Sequence, residues 1–311
     1  MPITKNNFTH VTNTELEGVE TSSFTVDFVN AMNAETGDLS TGSSTAGLEA
    51  TRAVISQFIN ILSEGPLVES NKQKTYLNKL IKDFNFSGSK KYKLIVLLGL
   101  LGDFDSFEYA INLKKFINNT QSEDIDIFAI AIGNKIGKDK FCKFTGFPTK
   151  NLEVVFDNKI HQELMISKGV DIGLGGWINM LIMLSGINSF KTIKEVIRGY
   201  TGDRNSKQIF SDEDQINFFN LIKFSGVFFK YTCGQGYLRP FELATYRLNN
   251  MLEILQNWND YILDNKYLPQ RSASFLLDDK DKIIYKYFSN DVLGYSSKME
   301  DPLAFLTENC K

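Results

Sequence analysis

The chain has 311 residues, 42% of them hydrophobic and 23% charged, with a formal net charge of −3. That is the composition of a globular protein long enough to bury a sizeable core, and the even spread of Lys and Arg, without a basic tail, excludes an electrostatic nucleic-acid binder. Two histidines, His10 and His161, and three widely separated cysteines, Cys142, Cys233 and Cys310, offer no zinc-ligand spacing, histidine triad or disulfide framework, which suits a reducing compartment.

The opening residues Met1–Asn7 lack the charged-then-apolar profile of a secretory leader. Residues 1–45 are polar, with helical spacing confined to Phe24–Met32 and a linker-like run from Glu35 to Ser44, and they read as a flexible arm. Amphipathic helices are expected near Thr45–Ser63 and Asn71–Phe84, making 46–90 a helical extension.

The apolar run Tyr92–Leu101 is too short to span a membrane and reads as a buried central strand. Gly102-Asp103-Phe104-Asp105-Ser106 closes it and opens a helix through Phe116. Asp105 and Glu108 have the spacing of a capping box. A strand running into a helix N-terminus favours a bound or developing anion. Here that place holds carboxylates and a hydroxyl, with no thiol.

A second strand is expected at Ile125–Ile132, a short helix at Lys138–Phe144, a third strand at Leu152–Phe156 and a helix through His161–Ile166. This βαβαβα order implies parallel strands joined by right-handed crossovers. Gly169–Tyr267 then reads as mostly helical, with helices at Trp177–Leu184, Thr192–Arg198, Asp212–Phe224 and Phe241–Asn257, the last with an apolar face of Leu243, Leu248, Met251, Leu252 and Leu255. The uncharged stretch Ile172–Lys191 reads as a buried or interface helix, and its glycines, like Gly199 and Gly202, as turns rather than phosphate loops. A β-hairpin, Ser274–Asp278 with Lys282–Phe288, and a helix at Pro302–Glu308 end the chain.

Three stretches resemble the thioredoxin-fold peroxiredoxin-like (AhpC/TSA-like) family: Lys93–Phe116, Phe141–His161 and Arg271–Asp278. The segments Gly199–Arg204 and Leu238–Thr245 are similar to a cyanobacterial and plastid subgroup with a helical insertion. The resemblance implies an α/β thioredoxin-like sandwich at 91–168 and 267–311, carrying a helical insertion at 169–266 and the helical N-terminal extension.

In redox-active members the positions matching Asp103, Phe104, Asp105 and Ser106 read Cys-Pro-x-Cys. Peroxide reduction needs a low-pKa thiolate that becomes a sulfenic acid, so that activity does not carry over to this degenerate turn. Arg271 matches the family's active-site arginine, with structural salt-bridging as its alternative. Cys142, beside Phe141 and Phe144, reads as a buried inert thiol, Cys233 in a glycine loop as the candidate for relocated redox work, and Cys310 as an exposed tail thiol. The expectation is a protein without cofactor or metal that binds a protein partner through its N-terminal arm or helical insertion, in a scaffold or assembly role. The subgroup resemblance implies a cytoplasmic or stromal location near a photosynthetic complex. No membrane span is expected; peripheral association with a thylakoid membrane stays open. The alternative is a thiol peroxidase or disulfide reductase using Cys233 or Cys142.

Overall fold

The computed structural model describes residues 66–86, 90–118, 124–186, 189–218 and 222–310. The arm at 1–45 and the expected helix at Thr45–Ser63 lie outside them. In chain order the elements are α1 (Pro66–Asp83), β1 (Tyr92–Leu100), α2 (Phe104–Ile117), β2 (Ile125–Ile132), α3 (Lys135–Thr145), β3 (Leu152–Val155), α4 (Lys159–Glu163), α5 (Gly176–Leu184) and α6 (Phe190–Thr201). Then follow β4 (Gln215–Phe218), β5 (Ile222–Ser225), α7 (Val227–Cys233), α8 (Glu242–Gln256), α9 (Trp258–Tyr261), β6 (Ala273–Leu277), β7 (Ile283–Phe288) and α10 (Ala304–Asn309).

The apolar run at Tyr92 forms the middle of a five-stranded mixed sheet ordered β3-β2-β1-β6-β7. β1, β2 and β3 run parallel, while β6 is antiparallel to both β1 and β7. The run is continuous rather than alternating because both faces of the strand are covered. Leu94, Val96 and Leu98 pack with Phe107 and Leu113 of α2, Phe141 of α3 and Leu306 of α10. Ile95 and Leu97 pack with Leu77 and Leu80 of α1, with Leu164 just past α4, and with Phe128 and Phe275. Each such side chain taken fully out of water contributes about 1.5–3 kcal/mol. The result is a three-layer α/β/α arrangement, and apart from Pro66 the described residues fall in one compact unit, Leu67–Lys311.

Three expectations need correction. The segment Asp212–Phe224 is not a helix: β4 and β5 form a hairpin pairing Gln215 with Ser225 and Phe218 with Ile222. Ile216, Phe218, Ile222 and Phe224 alternate at period two, and β-branched and aromatic residues favour such pairing. In α8 the buried positions are Glu242, Leu243, Asn250, Leu252 and Ile254, while Leu255 is exposed, because polar contacts set the rotation of this helix. The uncharged stretch Ile172–Lys191 is not one helix: α5 covers Gly176–Leu184 and exposes Trp177, Ile178 and Leu181, and α6 opens at Phe190. Among the described residues no helix is long and apolar enough to cross a membrane.

β1 is irregular at its end, its register with β2 shifting between Leu97 and Leu100. The Leu98 carbonyl accepts a hydrogen bond from His161 Nε2 at 2.7 Å, and the fully buried imidazole has no partner at Nδ1. Burial holds the His161 pKa down at about 4, below its usual 6.5. Between those values the unfolded chain takes up a proton that the folded protein refuses, so stability is present above pH 6.5 and is lost as pH falls toward 4. The expected loss is about 3 kcal/mol. Urea midpoints measured across that window should fall in the wild type and fall less in His161→Gln, which keeps a donor for Leu98 but cannot be charged.

Candidate functional site

The turn after β1 and the strand β6 are brought together by the central antiparallel pairing. Leu97 lies opposite Ala273, so the chain leaving β1 runs beside the chain entering β6. Gly99 makes this approach feasible, since a Cβ there would lie 2.5 Å from the Gln270 carbonyl oxygen. Arg271 thereby reaches residues 166 positions earlier in sequence.

Its guanidinium sits between two carboxylates. Nη1 donates to Asp105 Oδ2 at 3.4 Å, and Nη2 lies 3.7 Å from Asp103 Oδ1. Arg271 Nε also donates to the Pro269 carbonyl at 2.9 Å, and Nη1 to the Asp291 carbonyl at 3.2 Å. Asp105 and Arg271 are each 1% exposed; Asp103 and Ser106 are also buried. Among the described residues, Asp103 Oδ2, Asp105 Oδ1 and Ser106 Oγ have no hydrogen-bond partner. An unsatisfied buried polar atom costs about 1–3 kcal/mol, so the corner is a strained electrostatic feature of the fold.

The expected capping box is absent. The N-cap of α2 is Asp103, whose side chain closes no capping hydrogen bond, and Asp105 lies inside the first turn. Glu108 turns away to Arg247 of α8, accepting from Nε at 2.7 Å and Nη2 at 3.2 Å. Arg247 Nη2 also donates to Glu195 of α6 at 3.0 Å, and Glu195 receives Arg198 Nε and Nη2 at 2.9 and 2.7 Å. A buried chain of charges therefore leads from the turn to α8 and α6.

Burial pushes the Asp103 carboxyl up, against the pull of Arg271. Burial also drives Asp105 well above the ordinary carboxylate range, with the neighbouring Asp103 charge adding to it. One guanidinium cannot neutralise two desolvated carboxylates, so the pair favours holding a proton.

The turn is closed as well as buried. A Cβ at Gly102 would strike Ile262 and Tyr261 at the end of the insertion, and Phe104 packs against the Met183, Val292 and Leu293 cluster. Nearby, a polar cleft of about 310 Å³ is lined by Asn158, Gln162, Lys168, Asn179, Lys266 and Gln270 among others, but by none of residues 102–106. The acid pair can store a proton; it cannot meet a substrate in this conformation. Of the two readings of this turn, an anion- or partner-facing site or plain helix capping, the first needs an opening, and here Tyr261 and Ile262 pack over it.

Neither Cys142 nor Cys310 lies at this corner. Cys142 is buried in the α2–α3 side of the core, its thiol pushed up by desolvation. Cys310 is half-buried against the same core rather than an exposed tail, and burial raises its thiol to about 11. Cys233 ends α7, and its side chain lies outside the described residues. No group of three or more His, Cys, Asp or Glu among the described residues could hold a metal ion.

The segments Gly199–Arg204 and Leu238–Thr245 meet each other. Asp203 N donates to the Leu238 carbonyl at 2.8 Å and Phe241 N to the Tyr200 carbonyl at 3.2 Å. Gly202 sits where a Cβ would be 2.6 Å from the Leu238 carbonyl, at a φ of 76°. Arg239 and Glu242, both fully buried, pair at 2.9 Å, and Glu242 also accepts the Ile209 and Phe210 amides. These motifs are a structural clasp. Sequence reasoning gave Glu108 only a capping role and missed Glu195, Arg198 and Arg247; the one available signal was the polar side of α6, whose apolar positions repeat opposite Glu195 and Arg198.

Arg271→Gln leaves two buried carboxylates without their cation and is expected to cost about 3–5 kcal/mol, read as a lower urea midpoint. Asp105→Asn acts in the opposite sense. Because both carboxyl pKa values are raised in the fold, the stability tied to the pair is present below the unfolded carboxylate pKa and lost as pH rises through the raised values. The thermal midpoint of Asp105→Asn relative to wild type should therefore climb as pH rises above the ordinary carboxylate value of 3.8; a flat difference would mean that the pair holds no proton.

Compared with family models, curated proteins and solved structures, the chain matches none.

Proposed function

We propose that this chain is a thioredoxin-like protein of the peroxiredoxin-like group that has exchanged thiol chemistry for binding, in an assembly or scaffolding role. The strand order supports the fold reading: a parallel βαβ unit, then an antiparallel hairpin and a helix, with the first strand of each half paired at the centre. The observation that carries the functional reading is the sealed corner at Asp103, Asp105, Ser106 and Arg271. A peroxidatic centre needs an accessible, low-pKa thiolate at that place. Carboxylates cannot form and recycle a sulfenic acid, and the Cys142 and Cys310 thiols are shifted up, away from the thiolate form.

The binding surface on this reading is the helical insertion, which exposes large apolar side chains on α5, α6 and α7. A cytoplasmic or stromal setting beside a photosynthetic complex follows from the subgroup resemblance. Hydrogen peroxide mixed with the full chain and a dithiol reductant should be consumed no faster than with reductant alone, and Cys233→Ser should not change that rate. Sustained turnover abolished by Cys233→Ser would replace this reading with a relocated thiol peroxidase.

A further inference from the structure

α6 is folded inside out. Its buried residues are Thr192, Glu195, Arg198 and Gly199, whereas Phe190, Ile193, Val196, Ile197 and Tyr200 are exposed, Phe190 at 79%. At 100° per residue these exposed side chains form one stripe opposite the buried polar one. Phe241 extends it. Its ring lies 6.0 Å from that of Tyr200, and its backbone holds a left-handed φ of 63° that a phenylalanine rarely adopts. α5 carries a second exposed stripe, with Trp177 and Ile178 each one turn from Leu181. The two stripes meet. Gly186, just past α5, lies so close to α6 that a Cβ there would be 2.4 Å from Ile193 Cγ1.

The joined surface is apolar at its centre and polar only at its rim. Ile172–Phe190 contains no charged residue. Lys191 lies on the other side of α6, its Nζ 6.0 Å from the centroid of the Tyr287 ring, and Glu195 and Arg198 are turned inward. Beyond one end Asp171 accepts from Asn179 Nδ2 and the Gly173 amide, and beyond the other Asp203 lies 3.7 Å from Arg198. On the edge Lys194 faces Glu300 at 3.2 Å, both partly exposed. No excess of either sign is left to select a charged partner, and a copy of the same face meets no like charge. The edge pair is also self-complementary, because a two-fold axis can set the lysine of each copy toward the carboxylate of the other. Monomers rarely leave more than roughly 300–600 Å² of contiguous apolar surface in water. At roughly 150–200 Å² for a whole large side chain, the exposed parts of the two stripes and Phe241 come to on the order of 800 Å². That equals the ~800 Å² that each partner contributes to a standard interface. A charge-poor apolar centre with a polar rim is the anatomy of an interface between identical subunits.

We propose that the joined stripes of α5 and α6 are the face through which two copies of this chain pair about a two-fold axis. The proposal rests on the reading of the insertion as the binding surface and names its partner. Sedimentation velocity of the full chain at micromolar concentration should show a species of twice the chain mass. Phe190→Glu combined with Ile197→Glu, both at exposed positions, sets carboxylates of both copies into the apolar centre. It should weaken self-association by roughly tenfold or more, with an unchanged far-ultraviolet circular dichroism spectrum. Tyr231→Glu, at an exposed position on α7, should leave the dimer intact. A wild-type monomer overturns the proposal, and one that floats with phosphatidylglycerol vesicles would assign the stripes to a lipid surface instead. A dimer that survives the double substitution, or that Tyr231→Glu disperses, overturns it too. A monomer would leave the binding-only reading of the chain in place, whereas peroxide turnover by an intact dimer would remove that reading and keep the interface, so the two tests fail independently.

Discussion

A buried chain of carboxylates and guanidiniums, from Asp103 and Asp105 through Glu108 and Arg247 to Glu195 and Arg198, decides how α6 and α8 are attached. Desolvating so many charges is unfavourable unless each finds partners of good geometry. Arg247 satisfies this by bridging Glu108 and Glu195, and its guanidinium is held more firmly charged than usual by both. α6 must therefore turn its polar side to the body. Its apolar side has nowhere to go but outward, which is the origin of the stripe from Phe190 to Tyr200. One interaction thus explains both the seating of α6 and its unusual surface.

The same chain is short of positive charge at its beginning. Arg271 alone faces Asp103 and Asp105, and the next cation, Arg247, is occupied by Glu108 and Glu195. The imbalance sits beneath Tyr261, Ile262 and Phe104, out of reach of solvent. An imbalance of this kind in an open cleft would mark a general acid or base; under a packed lid it marks a proton held in the structure. Chemistry at the end of a parallel strand depends on access, and here Tyr261 and Ile262 remove that access.

Much of the sheet was legible from periodicity alone. Lys93–Leu101 and Ile125–Ile132 are apolar without alternation, and a strand covered on both faces has no other pattern available. The closing hairpin was equally plain, with its polar turn at Asp278–Asp281. The β4–β5 hairpin was not, because a short apolar segment with aromatic residues satisfies helical spacing as well as strand spacing. The capping box failed for a different reason. Spacing identifies side chains able to cap, but Glu108 found a stronger partner in Arg247, 139 residues away.

The sequence by itself determined the α/β core, the absence of a thiol at residues 103–106 and the amphipathic character of α6, since each is a local property of residue type and period. Only the tertiary structure decided that the acidic turn is buried, that Arg271 stands between its carboxylates and that the apolar side of α6 faces out. Periodicity defines the two sides of a helix but not which of them meets the core; here a network of paired charges, assembled from segments far apart in the chain, outweighs the hydrophobic preference.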